Sequence, residues 1–148
     1  MRMETVIERP REKAVAQLAT GLLDAWNSHD LERITDFYDL CYEGTDVGEA
    51  APQIGQDGIK ESMARYFRAF PDLRFTEEEL IIKHNRIVLF WTATGKHQGP
   101  LLNIPPTGKE ISVRGVSMLR VIGGKIKRGI HIWDLAGLLR SIKLLPEL

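Results

Sequence analysis

The chain has a single cysteine, Cys41, so no intrachain disulfide can staple it and no thiolate cluster can hold zinc. Residues 1–10, MRMETVIERP, lack the apolar core of a signal peptide, and no run nears the roughly 20 apolar residues that span a bilayer. These absences predict a cytoplasmic protein with no membrane partner. Nucleophile elbows of the G-x-S-x-G kind and phosphate-cradling glycine patterns are missing, and neither a Ser-His-Asp nor a Cys-His triad finds support. Acidic side chains are scarce in the second half. Beyond residue 80 there are eleven Lys and Arg but only Glu110, Asp134 and Glu147.

What is present suits one domain over residues 1–148, with a mobile start over residues 1–9. At 148 residues, with 43% hydrophobic and 27% charged side chains, the chain can bury a core without covalent help. Net charge is zero but unevenly placed. Residues 1–80 hold nine basic and seventeen acidic side chains, a balance of minus eight, and residues 81–148 balance at plus eight. The halves should therefore attract each other. The basic residues are scattered through strand-like runs, not clustered with exposed aromatics, so no nucleic-acid partner is expected.

Val15, Leu18, Ala19, Leu22, Leu23 and Trp26 fall at helical spacing and predict a helix from about residue 10 to 27. Asp30 is placed to cap a short second helix carrying Leu31, Ile34 and Tyr38. From Asp39 to Gly58 the periodicity fails among repeated Gly and Pro, which predicts an irregular connection able to cover a pocket. A third helix is expected from about Asp57 to Phe70, ended by Pro71.

Beyond Pro71 the period becomes strand-like, in four runs: 73–83, 86–97, 110–122 and 125–134. His84-Asn85 and Gly123-Gly124 provide hairpin turns, so the first and second runs, and the third and fourth, should pair antiparallel. The Gly- and Pro-rich stretch 98–109 between the hairpins reads as a loop, and a last helix runs from Leu135 to about Lys143. Helices first, then a meander of strands, then one helix is an α+β order with helices on one face of an antiparallel sheet. A strongly twisted sheet so covered closes into a cone.

In the last strand Ile126, Arg128, Ile130, Ile132 and Asp134 alternate onto one face. An acid on an apolar face is desolvated, which raises its pKa toward values useful in acid/base catalysis. Asp134 is thus the first catalytic candidate, although it also precedes an apolar stripe at helical spacing and fits an N-cap; the two roles are compatible. His97, at a strand end beside the Pro-rich loop, and His131, on the face opposite Asp134 and reaching the site only through a bulge, are the histidines able to assist, by donating to a substrate oxygen or by holding Asp134 in orientation. Trp26, Tyr42, Tyr66, Phe70, Phe90, Trp91 and Trp133 are candidates to line a cavity for a planar ligand. Asp46 is a polar candidate in the irregular connection. Arg114 shares a strand face with Met118, either reaching a substrate oxygen or pairing with the acidic helices.

Trp26-Asn-Ser-His-Asp30, Phe70-Pro-Asp-Leu-Arg-Phe75, Thr92-Ala-Thr-Gly-Lys-His-Gln-Gly99, Ile104-Pro-Pro-Thr-Gly-Lys109, Gly124-Lys-Ile126 and Trp133-Asp-Leu-Ala-Gly-Leu-Leu139 occur in an order that resembles the SnoaL-like polyketide cyclase, or ester cyclase, family. The resemblance covers nearly the whole chain. It implies the nuclear-transport-factor-2-like cone shared with ketosteroid isomerases. It also implies closure of a polyketide ring by intramolecular aldol condensation of an apolar, aromatic ester-bearing substrate, without cofactor or metal. The family's acid/base falls on Asp134. The chain departs from the family pattern in Cys41-Tyr-Glu-Gly-Thr-Asp-Val-Gly48, where members often place an Asp and a His against the ligand. A homodimer formed through the sheet, a binding module using the same cavity without chemistry, and a hydrolase or isomerase on the same fold complete the expectations.

Overall fold

The computed structural model describes residues 10–147, and the mobile start expected over residues 1–9 lies outside them. The elements are α1 (Pro10–Ser28), α2 (Leu31–Thr35), β1 (Tyr38–Asp46), β2 (Gln53–Ile54), α3 (Gly55–Ala69), β3 (Arg74–Lys83), β4 (Arg86–Lys96), β5 (Glu110–Ile122), β6 (Lys125–Trp133) and α4 (Leu135–Ser141). They form the expected α+β architecture, a curled six-stranded sheet with N-terminal helices and a short C-terminal helix.

Sheet order is β2-β1-β6-β5-β4-β3. His84, at φ 57°, turns β3 into β4, while Gly123 and Gly124, at φ 61° and 77°, turn β5 into β6. Every pairing is antiparallel except β1 with β6, which run parallel. Helices α1 and α3 pack against β3, β4, β1 and β2, and their buried stripes, including Val15, Leu22, Trp26, Ile59 and Met63, meet the inner face of the sheet.

The irregular connection expected from Asp39 to Gly58 is instead half strand, with β1 running to Asp46, β2 at Gln53–Ile54 and α3 beginning at Gly55. Tyr38 belongs to β1, not to the second helix, because α2 stops at Thr35. Tyr42 is fully buried and its hydroxyl donates to Gln53 Oε1 at 2.7 Å. Gly44 leaves the room that this phenol ring fills. A local reading sees Gly44 as a breaker, although the partner that makes the strand, β6, lies more than eighty residues along the chain.

The face expected for β6 is also corrected. Pairing with β5 shifts between Arg120 and Val121, so that Arg128 opposes Arg120 while Ile126 opposes Val121. Lys127 is the extra residue, a bulge that inverts the alternation. Ile126 points inward, but beyond the bulge the inward residues are Gly129, His131 and Trp133. Arg128, Ile130, Ile132 and Asp134 lie on the outer, exposed face.

Candidate functional site

Between the inner face of the sheet and the helices lies a cavity of about 80 Å³. Its apolar wall includes Trp26, Phe70, Phe75, Trp91, Val113 and Leu138, and its polar members are Tyr38, Asp46, Gln53, Ser62, Tyr66, Ser117 and His131. Alternation on β1 turns Tyr42, Gly44 and Asp46 inward, and alternation on β6 turns His131 and Trp133 inward. Asp46 and His131 stand directly opposite in the parallel ladder, tied by Val47 N donating to His131 O at 3.1 Å. Cross-strand neighbours on one face are close enough to act on one ligand.

Asp46 is held by three donors on a single oxygen. Gly48 N, Trp133 Nε1 and Tyr66 hydroxyl reach Oδ1 at 2.7, 2.9 and 3.0 Å. Gly48 is required here, because a Cβ would sit 2.6 Å from both Trp133 Cζ2 and the Tyr66 hydroxyl. Burial, then the Asp46 and Glu49 carboxylates, push the Tyr66 phenol upward, so it remains a donor. These bonds fix the carboxylate in orientation and leave Oδ2 as the oxygen able to meet a ligand. Asp46, Tyr66 and Trp133 are half-buried, whereas His131 is 7% exposed. The acid therefore stands nearer solvent and the imidazole deeper.

His131 Nδ1 lies 2.7 Å from Ser117 Oγ, while its Nε2 is buried with no hydrogen-bond partner among the described residues. Burial holds this imidazole below its ordinary range, against the opposing pull of Asp46 and Glu49. The ring is thus neutral at pH 7. Behind the cavity wall, Glu49 Oε2 accepts from Ser62 Oγ and from Arg65, each at 2.8 Å, and Gln53 Nε2 donates to Ser62 at 2.9 Å. That network fixes the loop after β1 against α3.

The remaining sequence candidates divide between the two faces of the sheet. Trp26, Phe70, Trp91 and Trp133 line the cavity with Asp46 and His131, and Tyr42 sits behind it, bonded to the lining residue Gln53. His97 is fully buried, its Nδ1 at 3.0 Å from Thr107 Oγ1, and packs on Phe70 outside the lining. Asp134 does not face the cavity. It is exposed, with Oδ1 accepting from Gly137 N at 2.9 Å as the cap of α4. With Arg114, Glu78, Glu79 and Phe90 it borders a groove on the outer face, so Arg114 points away from the acidic helices. Met118 is exposed on the same face.

Four polar members of the lining, Tyr38, Gln53, Ser62 and Ser117, escaped the sequence reading. Ser117 is the polar position in the inward series Ile111, Val113, Gly115, Ser117, Leu119, Val121, and that break in an apolar face was a usable signal. Gln53 gave none, because its two-residue strand is too short for periodicity. Among the described residues, no three His, Cys, Asp or Glu side chains gather as a metal-binding group. No described helix is long and apolar enough to cross a membrane.

A family model for the SnoaL-like polyketide cyclases matches residues 16–142. The chain belongs to that family. Among solved structures, AclR from Streptomyces galilaeus, named as a candidate hydroxylase, is 25% identical with a TM-score of 0.82, over 93% of this chain and 89% of that one. A candidate SnoaL-like polyketide cyclase from Jannaschia sp. CCS1 is 20% identical with a TM-score of 0.84, over 93% and 97%. A protein of ketosteroid-isomerase-like fold from Catenulispora acidiphila DSM 44928, solved with trimethylamine, is 16% identical with a TM-score of 0.76, over 87% and 94%. The fold of this SnoaL-like chain is thus ketosteroid-isomerase-like. No curated protein matches it significantly.

Proposed function

We propose that this SnoaL-like protein carries out cofactor-independent acid/base chemistry on an apolar carbonyl compound, with Asp46 as the general base and aldol ring closure as the reaction. One observation carries the proposal: a carboxylate fixed through Oδ1, its Oδ2 without a partner among the described residues, lines the same apolar cavity as an imidazole whose buried Nε2 also has none there. Asp46 Oδ2 takes a proton from the carbon beside the carbonyl, and the electron pair of that C–H bond becomes an enolate. The enolate carbon then attacks a second carbonyl of the same molecule. The protonated Asp46 returns its proton to the alkoxide that forms, so the carboxylate is regenerated. Tyr66 and Trp133 hold Asp46 throughout, as positioning residues.

The cavity limits the substrate. At about 80 Å³ it is roughly half the ~150 Å³ that takes up a benzene molecule. Only a compact carbonyl-bearing head fits inside, so the rest of a polyketide-like substrate stays on the half-buried side marked by Asp46, Tyr66 and Trp133. Pairing of two copies through the outer sheet face, where Phe90, Met118, Ile130 and Ile132 are exposed, belongs to the same proposal.

The test is solvent deuterium incorporation into small β-keto esters and 1,3-diketones, followed by NMR. Wild type should exchange the acidic C–H protons, Asp46→Asn should lose ~10²–10⁴-fold of that rate, and Asp134→Asn should keep it. Loss in Asp134→Asn with retention in Asp46→Asn would move the chemistry to the outer groove. Saturable binding with no exchange in wild type would favour a binding module.

A further inference from the structure

Behind His131 the structure holds a short chain of hydrogen bonds that the proposed reaction does not itself require. Trp91 Nε1 lies 3.0 Å from Ser117 Oγ, and Ser117 Oγ lies 2.7 Å from His131 Nδ1. Trp91 reaches Ser117 only because β5 carries Gly115 beside it. A Cβ there would sit 2.5 Å from Trp91 Cζ2 and 2.8 Å from Trp133 Cβ, so the indole lies across the space a side chain would fill. All three groups are buried.

The direction of the chain follows from what each group can do. An indole N–H only donates, so Ser117 Oγ accepts from Trp91. The hydroxyl keeps one proton, and the basic atom placed to receive it is His131 Nδ1. The reverse arrangement, with Nδ1–H donating to Ser117, would leave the serine proton without an acceptor among the described residues. With Nδ1 as acceptor, Trp91, Ser117 and His131 Nδ1 are satisfied together, and a neutral ring must then carry its proton on Nε2.

We propose that Trp91 and Ser117 are positioning residues that lock His131 as a neutral Nε2–H donor, and that the ligand atom it receives is a carbonyl or enolate oxygen on a compact head. Nε2 is buried and partnerless in a side chain that lines the cavity. A buried N–H left without an acceptor is costly, and an oxygen that gains charge during the reaction is the acceptor it favours most. Asp46 selects the complementary feature. The ligand therefore presents an acceptor oxygen to the deep side and an acidic C–H to the side nearer solvent. An alcohol or amine that offers only donors to His131 does not satisfy the site. The ligand assignment rests on the acid/base reading, whereas the tautomer assignment does not.

The experiment is ¹⁵N NMR of the labelled protein, with His131 assigned through a His131→Asn spectrum. Wild type should show Nε2 protonated and Nδ1 unprotonated, and a protonated Nδ1 would overturn the proposal. Ser117→Ala should shift the ring toward the other tautomer or a mixture, and Ser117→Thr, which restores a hydroxyl, should recover it; an unchanged tautomer in Ser117→Ala would remove Ser117 from the role. Acetone, smaller than benzene and carrying one acceptor, should move the Nε2–H proton saturably, with about tenfold weaker binding in Ser117→Ala. Isobutene, of the same shape without the oxygen, should not. Equal responses to both would overturn the oxygen-ligand assignment. None of these readouts uses turnover, so they stand or fall separately from the Asp46→Asn exchange result.

Discussion

Asp46 and His131 face each other across the one parallel strand pair of the sheet, β1 with β6, on its inner side. Neither strand alone makes a site. β1 provides a carboxylate that meets its donors only when Tyr66 of α3 and Trp133 of β6 are in place. β6 provides an imidazole that meets Ser117 only through its antiparallel pairing with β5. The candidate chemistry is therefore a product of tertiary structure, and its predictions concern contacts between elements.

Tyr66→Phe removes one of the three donors on Asp46 Oδ1 and keeps the ring that packs edge-on against Trp133. A lost hydrogen bond to a carboxylate is worth ~1.5 kcal/mol. Deuterium exchange should fall by about tenfold, mostly in kcat, with the melting temperature lowered by a few degrees at most. A rate equal to wild type would show that the orientation of Asp46 is set by Gly48 and Trp133 alone.

Gly115→Ala should damage both stability and the site. The added methyl meets Trp91 and Trp133 Cβ at distances that ordinary side chains do not tolerate. Overpacking against a buried side chain such as Trp91 costs ~1–3 kcal/mol, readable as a lower midpoint in urea unfolding. Displacement of the Trp91 indole should also lose its bond to Ser117, visible as a shift of the indole N–H resonance. An unchanged indole signal would mean that Trp133 gives way instead.

Stability should fall as the solution is acidified. His97 and His131 both titrate below their ordinary value in the fold, each mainly because of burial. The sign follows from proton counts. Below about pH 6.5 the unfolded chain protonates these rings while the native chain holds them neutral, so acid favours unfolding. Stability is full above that pH and is lost as pH falls toward the lowered native values, at up to ~1.4 kcal/mol per pH unit for each ring. Urea midpoints between pH 7.5 and 5.0 should show this slope, and it should shrink in His97→Asn. A flat profile in wild type would contradict the buried, neutral state of both rings.

Most of the fold was legible in the sequence, because its signals are local. The stripe from Val15 to Trp26, the stop at Pro71 and the turns at His84-Asn85 and Gly123-Gly124 each act over a few residues, and each occurs where the pattern placed it. β1 was not legible: its partner is distant, and Gly44, which reads as a breaker, is the residue that accommodates Tyr42. The site followed the same division. The isoleucines of β6 suggested an inward face containing Asp134, but the bulge at Lys127 puts Ile130 and Ile132 outside and turns His131 inward. Alternation correctly separated His131 from Asp134 but could not say which of the two faced the cavity. Capping, read from Asp134 and the apolar positions after it, describes that residue's local geometry.

Filling the cavity should separate stability from function. Ala93 of β4 lines it, is 6% exposed and faces Phe75 across the β3–β4 ladder. Ala93→Leu adds three carbons directed at a space of about 80 Å³. Apolar burial contributes ~0.8 kcal/mol per added carbon when the space accepts it without strain, so the folded state should gain ~1–2 kcal/mol after rotamer losses. The same side chain occupies the volume in which a carbonyl head would sit between Asp46 and His131. Acetone binding and deuterium exchange should both disappear while the melting temperature rises. If exchange persisted in a stabilised Ala93→Leu protein, the chemistry would have to occur outside the central cavity, and the outer groove containing Asp134 and Arg114 would become the place to seek it.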